Sequence, residues 1–408
     1  MNISPAEQAA LATIDPAAML AQVERWCAVN SGSRNLDGLA ATAALLTDSF
    51  ALLGDVQAHD PADASQMRPT GEVVPLAHGQ NLHLIVRPQA PTRVLLTGHY
   101  DTVFPADHPF QQLTWREPGI LNGPGVADMK GGIAVMLAAL KALEASPWAR
   151  DIGYEVVLNS DEEVSSPGSA PLLVEAARRV DAGLTFEPAL PDGTLAGARP
   201  GSGNFAIHIA GRAAHAGREP EKGRNAVIAA ADLALRLAAL IAPDLKVNVA
   251  KIEGGGPNNV VPDTAVLRVN MRPSTPEAEA RARAALDAAI FAVAAAHDIQ
   301  AHRHGDFARP PKPLDANQLR LFELVKAVGA DLDLSIGWRD AGGVCDGNNL
   351  AATGLAVVDT LGVRGGAIHS ADEYLIVESL SERARLAALL LMRIARHGFR
   401  RTEQNSVT

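Results

Sequence analysis

Apolar and polar positions alternate with two different periods along this chain, and the change of period divides it. The segments "PAAMLAQVERWCAV" and "LDGLAATAALLTDSFALLG" carry apolar residues at helical spacing. Short strand-like runs follow: "NLHLIVRP", "RVLLTGHYD", "YEVVLNSDEE" and "AGLTFEP". Between the second and third runs, Ile133, Met136, Leu137, Leu140 and Leu143 recur every three or four residues and predict a helix. Strands alternating with helices predict an α/β sheet covered on both faces.

From about Gly201 the texture changes. "GNFAIHIAGRA" alternates like a half-exposed strand, and an Ala/Leu-rich helix, two strands, a second Ala-rich helix from Pro276 to His297 and the strand-like "DIQAHRH" follow. That order, β-α-β-β-α-β, predicts a ferredoxin-like unit inserted into the α/β chain. The Pro-rich "ARPPKPLD" reads as a hinge. Beyond it the α/β texture returns, with "LAVVDTLG" as a strand and "SLSERARLAALLLMRIARHG" as the closing helix.

Composition narrows the partners. The chain has 408 residues, of which 47% are apolar, and a net charge of −10. Its length predicts two domains. A chain this acidic, with no concentrated basic run, argues against nucleic acid or an anionic membrane as a partner. Two cysteines cannot build a disulfide framework, the N-terminus lacks a signal-peptide pattern, and no window approaches 18 apolar residues. A cytoplasmic protein is the expectation.

Candidate chemistry collects at the strand ends. His99 and Asp101 close one run, Asp128 precedes the central helix, and Glu162 with Glu163 closes another run. Glu187 follows the next, and His369 lies in the final third. Ligands in open α/β sheets gather at the carboxyl ends of strands, so these donors predict a metal site, with zinc the best fit and manganese or cobalt acceptable. Taken alone, Asp128 suits a helix N-cap, and any one of the twelve histidines suits a plain core or surface role. In an extended segment Glu162 and Glu163 point opposite ways, which lets one bind metal while the other faces water as a general base. His99 and Asp101, two apart, share a face, so Asp101 can fix the imidazole tautomer.

The ordered motifs "GHYDTVFP", "GPGVADMKGG", "NSDEEVSSPGS", "FEP", "GRAAHAG", "NNVVPDTA" and "GGVCDGNNLAATG…GAIHSADEY" resemble the M20 metallopeptidases, most closely the branch of glutamate carboxypeptidases and acetylornithine deacetylases. The resemblance implies a zinc-peptidase-type mixed sheet covered by helices, formed by 1–199 and 309–408, with an inserted lid and dimerisation domain at 200–308. It implies two divalent ions bridged by Asp128, with His99 and Glu187 completing one site and Glu163 and His369 the other. Glu162 falls at the general base, Asp101 at the residue orienting His99, and the peptide after Asp128 is implied to be cis. These acidic ligands would leave the ion pair net positive, so that a bridging hydroxide completes the charge balance.

By the same resemblance His215 reaches across a homodimer interface to the partner's substrate. Asn259 and Arg272 match positions that bind a substrate carboxylate, with Arg309 a further candidate. The implied reaction is hydrolysis of an amide next to a free carboxylate in a small peptide or N-acyl amino acid. The alternatives are a small N-acyl amino acid deacylase and a catalytically silent binding protein. One departure is clear: "DGTLAGA" after the "FEP" glutamate contains no basic residue, so the resemblance does not extend to a preference for C-terminal glutamate. Cys345 stands where a small hydroxyl residue is usual and suits a small, partly buried apolar thiol.

Overall fold

The computed structural model describes residues 3–400. Three helices open the chain: α1 (Pro5–Leu11), α2 (Pro16–Cys27) and α3 (Leu36–Phe50). There follow β1 (Val56–His59), β2 (Asn81–Val86), β3 (Thr92–His99), α4 (Lys130–Glu144), β4 (Ile152–Asn159), α5 (Ala170–Arg178) and β5 (Ala182–Thr185). The next stretch comprises β6 (Ser202–Ala210), α6 (Ala226–Ala238), β7 (Leu245–Gly254), β8 (Thr264–Pro273), α7 (Pro276–His297) and β9 (Gln300–Arg309). Helices α8 (Ala316–Asp331) and α9 (Asp346–Ala351), strand β10 (Ala356–Val358) and helix α10 (Glu378–His397) end the chain's regular elements.

The central sheet has the order β1-β2-β4-β3-β5-β10. Strands β4, β3, β5 and β10 run parallel, and β1 and β2 add an antiparallel edge. This is the mixed sheet covered by helices that the alternation predicts. Alternate residues of each strand enter different cores. Val94 and Leu96 pack with Val156, Leu158 and helices α2, α4 and α10, whereas Leu95 and Val157 pack with Leu173, Ala176 and Val357 on the other face. Helix α4 is buried almost throughout, so it reads as hydrophobic on every side rather than on one stripe.

Residues of β6–β9 form a separate four-stranded antiparallel sheet of order β7-β8-β6-β9. With α6 and α7 on one face, this is the ferredoxin-like topology. Its own core alternates along β6 through Phe205, Ile207 and Ile209, which meet Ala229, Leu233 and Leu286 of the helices. The half-exposed face that the sequence suggests is partly covered. A hairpin of Ser65–Met67 and Val73–Pro75 reaches onto it, with Met67 against Ala206 and Val266 and its carbonyl accepting from Arg268 (2.8 Å). Nothing in the alternation of β6 announces this cover, because the covering residues lie far upstream in polar sequence.

Candidate active site

Because β3, β4, β5 and β10 are parallel, their carboxyl ends meet along one edge of the sheet, where His99, Glu162, Glu163 and Glu187 follow their strands. Asp128 joins them from the start of α4. It does not cap that helix: the N-cap is Met129, with no side-chain hydrogen bond. The carboxylate faces two imidazoles instead, its Oδ1 3.1 Å from His99 Nε2 and its Oδ2 3.3 Å from His369 Nε2. The Asp128–Met129 peptide is cis.

His99 Nε2 also lies 3.8 Å from Glu187 Oε2, and His369 Nε2 lies 3.1 Å from Glu163 Oε2. His369 comes from a turn between the strands Gly365–Gly366 and Tyr374–Ile376, and its backbone is left-handed, with φ 63°. Potential ligand atoms of His99, Asp128 and Glu163 all lie within 4.8 Å of one another, as do those of His99, Glu162 and Glu187.

Two local geometries differ from the sequence expectation. Strand β3 stops at His99, so Asp101 lies in the turn beyond it rather than on the same extended face. Its carboxylate still reaches His99 Nδ1 at 3.3 Å, and the Asp101 carbonyl lies 3.1 Å from the same nitrogen. That carboxylate also accepts from Ser33 Oγ (2.7 Å) and from the backbone N–H groups of Glu162 (3.1 Å) and Glu163 (3.3 Å). Asp101 therefore ties the imidazole to the turn that carries both glutamates. Those glutamates start a short 3-10 turn, Glu162–Val164, rather than extending β4. Their side chains diverge because of that turn: Glu163 meets His369, and Glu162 Oε1 accepts from Arg309 Nη2 at 2.7 Å.

Charge explains why such a cluster favours cations. Burial pushes up the carboxyls of Glu162 and Glu187, and burial with the neighbouring Asp128 brings Glu163 to about 7. Burial alone would strip His99 of its proton, but hydrogen bonds to Asp101, Asp128 and Glu187 outweigh it and hold the ring well above the ordinary histidine value. Hydrogen bonds to Asp128 and Glu163 raise His369 to about 11. Burial opposes ionisation of Asp128 as well, yet its bonds to His369 and His99 keep it low. Imidazolium charge thus balances the carboxylates here. Two imidazoles and three carboxylates converging on so small a space are the donor chemistry of a divalent metal site, and the residues fit that role.

The cluster opens into a cavity of about 420 Å³. Its walls include Asp128, Glu162, Glu163, Glu187 and His369, with Leu190, Leu195, Val344 and Ile368 as apolar lining and Arg199 and Arg339 as cations. Arg199 is held in a two-point contact by Asp359 (2.8 and 3.1 Å), which Lys312 also pairs at 3.0 Å. Cys345 is a buried wall residue whose Sγ lies 3.7 Å from Asp359, and burial raises its thiol well above the ordinary value.

Residues 202–309 contribute no described wall to this cavity. His215 and Asn259 lie in exposed loops: His215 Nδ1 accepts from Gly217 N (3.1 Å), and the Asn259 carbonyl from Ala216 N (2.9 Å). Arg272 donates to Asn270 (2.9 Å) and to the carbonyl of the wall residue Gly342 (3.2 Å). Arg309 is buried against Glu162, Asp346 and Asn349 and does not line the cavity. Sequence reasoning passed over Arg199, Asp346 and Glu373. Glu373 lies in the quoted "HSADEY", but its partners are backbone N–H groups that no motif displays.

The family model described as Peptidase family M20/M25/M40 matches residues 95–393. Carboxypeptidase G2 of Pseudomonas sp. (strain RS-16) is 30% identical over 397 residues, covering 93% of this chain and 90% of that protein. A succinyl-diaminopimelate desuccinylase of Xanthomonas oryzae pv. oryzae (strain MAFF 311018) is 29% identical over 333 residues, covering 75% of this chain and 84% of its own. Among solved structures, an M20 family metallo-carboxypeptidase from Sulfolobus solfataricus superposes with a TM-score of 0.71 at 15% identity, over 93% of this chain and 99% of that one. Aminopeptidase PepT from Bacillus cereus gives 0.69 at 22% identity, over 94% of this chain and all of that one. The family match spans most of the sequence, and the likeness to the Pseudomonas carboxypeptidase covers 93% of it: the chain belongs to peptidase family M20/M25/M40.

Proposed function

We propose that this M20 hydrolase is a carboxypeptidase that cleaves an amide bond next to a free carboxylate in small peptides or N-acyl amino acids. The observation that carries the reading is the convergence of His99, Asp128, Glu163, Glu187 and His369 around one carboxylate whose two oxygens face different imidazoles. In this reading His99 and Glu187 would hold one divalent ion and Glu163 and His369 a second, most readily zinc, with the Asp128 carboxylate available to both. When bound, such ions polarise a carbonyl and acidify water.

The remaining work falls to the chain's own groups. Glu162 lines the cavity beside the cluster, where its carboxylate takes a proton from the attacking water and returns it to the departing amine. Asp101 holds the Nδ1 proton of His99 and so keeps Nε2 directed at the cluster. His215, Asn259 and Arg272 act as substrate-binding groups, with His215 supplied by a partner copy; the absence of His215 from this copy's cavity walls supports that assignment, while Arg272 reaches the wall residue Gly342 within the same copy.

A homodimer through the inserted unit, residues 200–308, is part of the same proposal. Ile228, Leu235 and Ile241 are exposed on and just after α6, and β7 is an edge strand with a free side. Both cysteines are free, which suits a cytoplasmic enzyme. The division into 1–199 with 309–408 and an inserted lid completes the proposal. The second reading, a deacylase of small N-acyl amino acids, is favoured by the likeness to desuccinylases.

The test is purified, metal-supplemented protein offered dipeptides and N-acetyl amino acids in parallel. Glu162→Gln is expected to retain metal while kcat falls by roughly 10²–10⁴; full activity in that variant removes Glu162 as the base. Hydrolysis of N-acetyl amino acids alone selects the deacylase.

A further inference from the structure

Strand β9 ends on Arg309, and Pro310 and Pro311 follow. Its last residue pairs with Ser202, the first residue of β6. The two places where the chain crosses between the sheets therefore lie side by side. Each crossing sends buried cations onto the central unit. Arg199 and Lys312 end on Asp359, a fully buried carboxylate.

Arg309 ends on the base itself. Its Nη2 donates to Glu162 Oε1 (2.7 Å) and to the Glu162 carbonyl (3.1 Å), while Nη1 donates to Asp346 and to Asn349 Oδ1 (2.9 Å). Asp346 is fixed in turn by Asn159 Nδ2 (2.8 Å) and Ser166 Oγ (2.6 Å). The guanidinium is 1% exposed and absent from the cavity wall, whereas Glu162 is on that wall. A buried guanidinium with both terminal nitrogens engaged is poorly placed to receive a substrate carboxylate, and well placed to aim a neighbouring one.

We infer that Arg309 is a positioning residue that fixes the Glu162 carboxylate and makes its placement depend on how the inserted unit sits at the hinge. The inference rests on Glu162 being the base of the proposed hydrolysis. The planar fork matters: it spans Glu162 and Asp346 at once, which a lysine ammonium, a single point charge, cannot do with the same geometry. Any rotation of the inserted unit about the paired crossings carries the root of this side chain with it. The base then responds to a movement that leaves the metal ligands in place.

Two measurements test this. In metal-loaded protein, Arg309→Met and Arg309→Lys are expected to lower kcat by about 100-fold, with KM changed by less than about threefold and metal content unchanged. Added methylguanidinium should restore part of the kcat of Arg309→Met. A large rise in KM with kcat intact would overturn the inference and make Arg309 a reader of the substrate carboxylate.

The second measurement needs no turnover. In metal-free protein the loss of thermal midpoint caused by Arg309→Lys should be smaller in a Glu162→Gln background than in the wild type. Strictly additive losses would also overturn the inference. Arg309→Lys keeps a cation beside Asp346, so both measurements remain open if Arg309→Met does not fold. Should the wild type cleave no amide while the thermal losses are non-additive, the proposed function fails and the Arg309–Glu162 link stands.

Discussion

Glu373, four residues past His369, accepts from three backbone N–H groups of one loop: Gly125 N (3.2 Å), Ala127 N (3.0 Å) and Asp128 N (3.0 Å). One carboxylate thus holds the loop that presents Asp128, and burial together with Asp128 pushes Glu373 up to about 8. Glu373→Ala leaves buried N–H groups without an acceptor and is expected to weaken metal binding by about 10–100-fold; isothermal titration calorimetry measures it, and unchanged affinity would contradict the positioning role. At this scale the sequence was informative where a donor closes a strand or stands in a recognisable motif. His99, Glu163 and Glu187 could be picked out because strand ends deliver them, and Asp128 and His369 because of the motifs around them. Glu373 could not, since its role depends on backbone groups, and neither could Asp346, whose partners Asn159, Ser166 and Arg309 lie far from it in sequence.

At the scale of elements, α4 and β5 approach too closely for any side chain between them. A Cβ on Gly132 would lie 1.9 Å from the Phe186 carbonyl oxygen, one residue before Glu187. The spacing between the Asp128 end of α4 and the Glu187 end of β5 is therefore set by a missing side chain. Gly132→Ala is expected to destabilise the fold by about 1–3 kcal/mol through overpacking and to loosen metal binding. Denaturant unfolding and metal titration of the same variant check the pair of effects. The alternation of strands and helices made the order of these elements readable. Their ends were less so: Asp101 and the Glu162–Glu163 pair were expected on extended backbone, and both lie in turns, because local hydrogen bonds to Ser33 and Asp101 outweigh strand continuation.

At the scale of the molecule, the change of period near Gly201 marks a real change of core, since Phe205, Ile207 and Ile209 pack only within the second sheet's cluster. The hairpin that laps onto that sheet was illegible, being short, polar and distant in sequence. Among the described residues no helix is long and apolar enough to cross a membrane. Leu235→Glu places charge on the exposed α6 face and is expected to yield monomers, read by sedimentation; loss of turnover alongside would match a partner-supplied His215.

Protonation supplies a further outcome for the whole protein. Glu163 titrates at about 7 and both His99 and His369 above the ordinary histidine value in the metal-free cluster. Groups with raised values hold protons below them, so an incoming cation must expel protons and its affinity should climb as pH rises through about 7. Calorimetry in buffers of different ionisation heat should register net proton release, and pH-independent binding would exclude this competition.

His369 carries one more implication. It follows the whole inserted unit in the chain, while His99, Asp128, Glu163 and Glu187 all precede it. A chain cut short before His369 would therefore keep the donors delivered by the central sheet and lose the imidazole that faces Asp128 Oδ2 and Glu163.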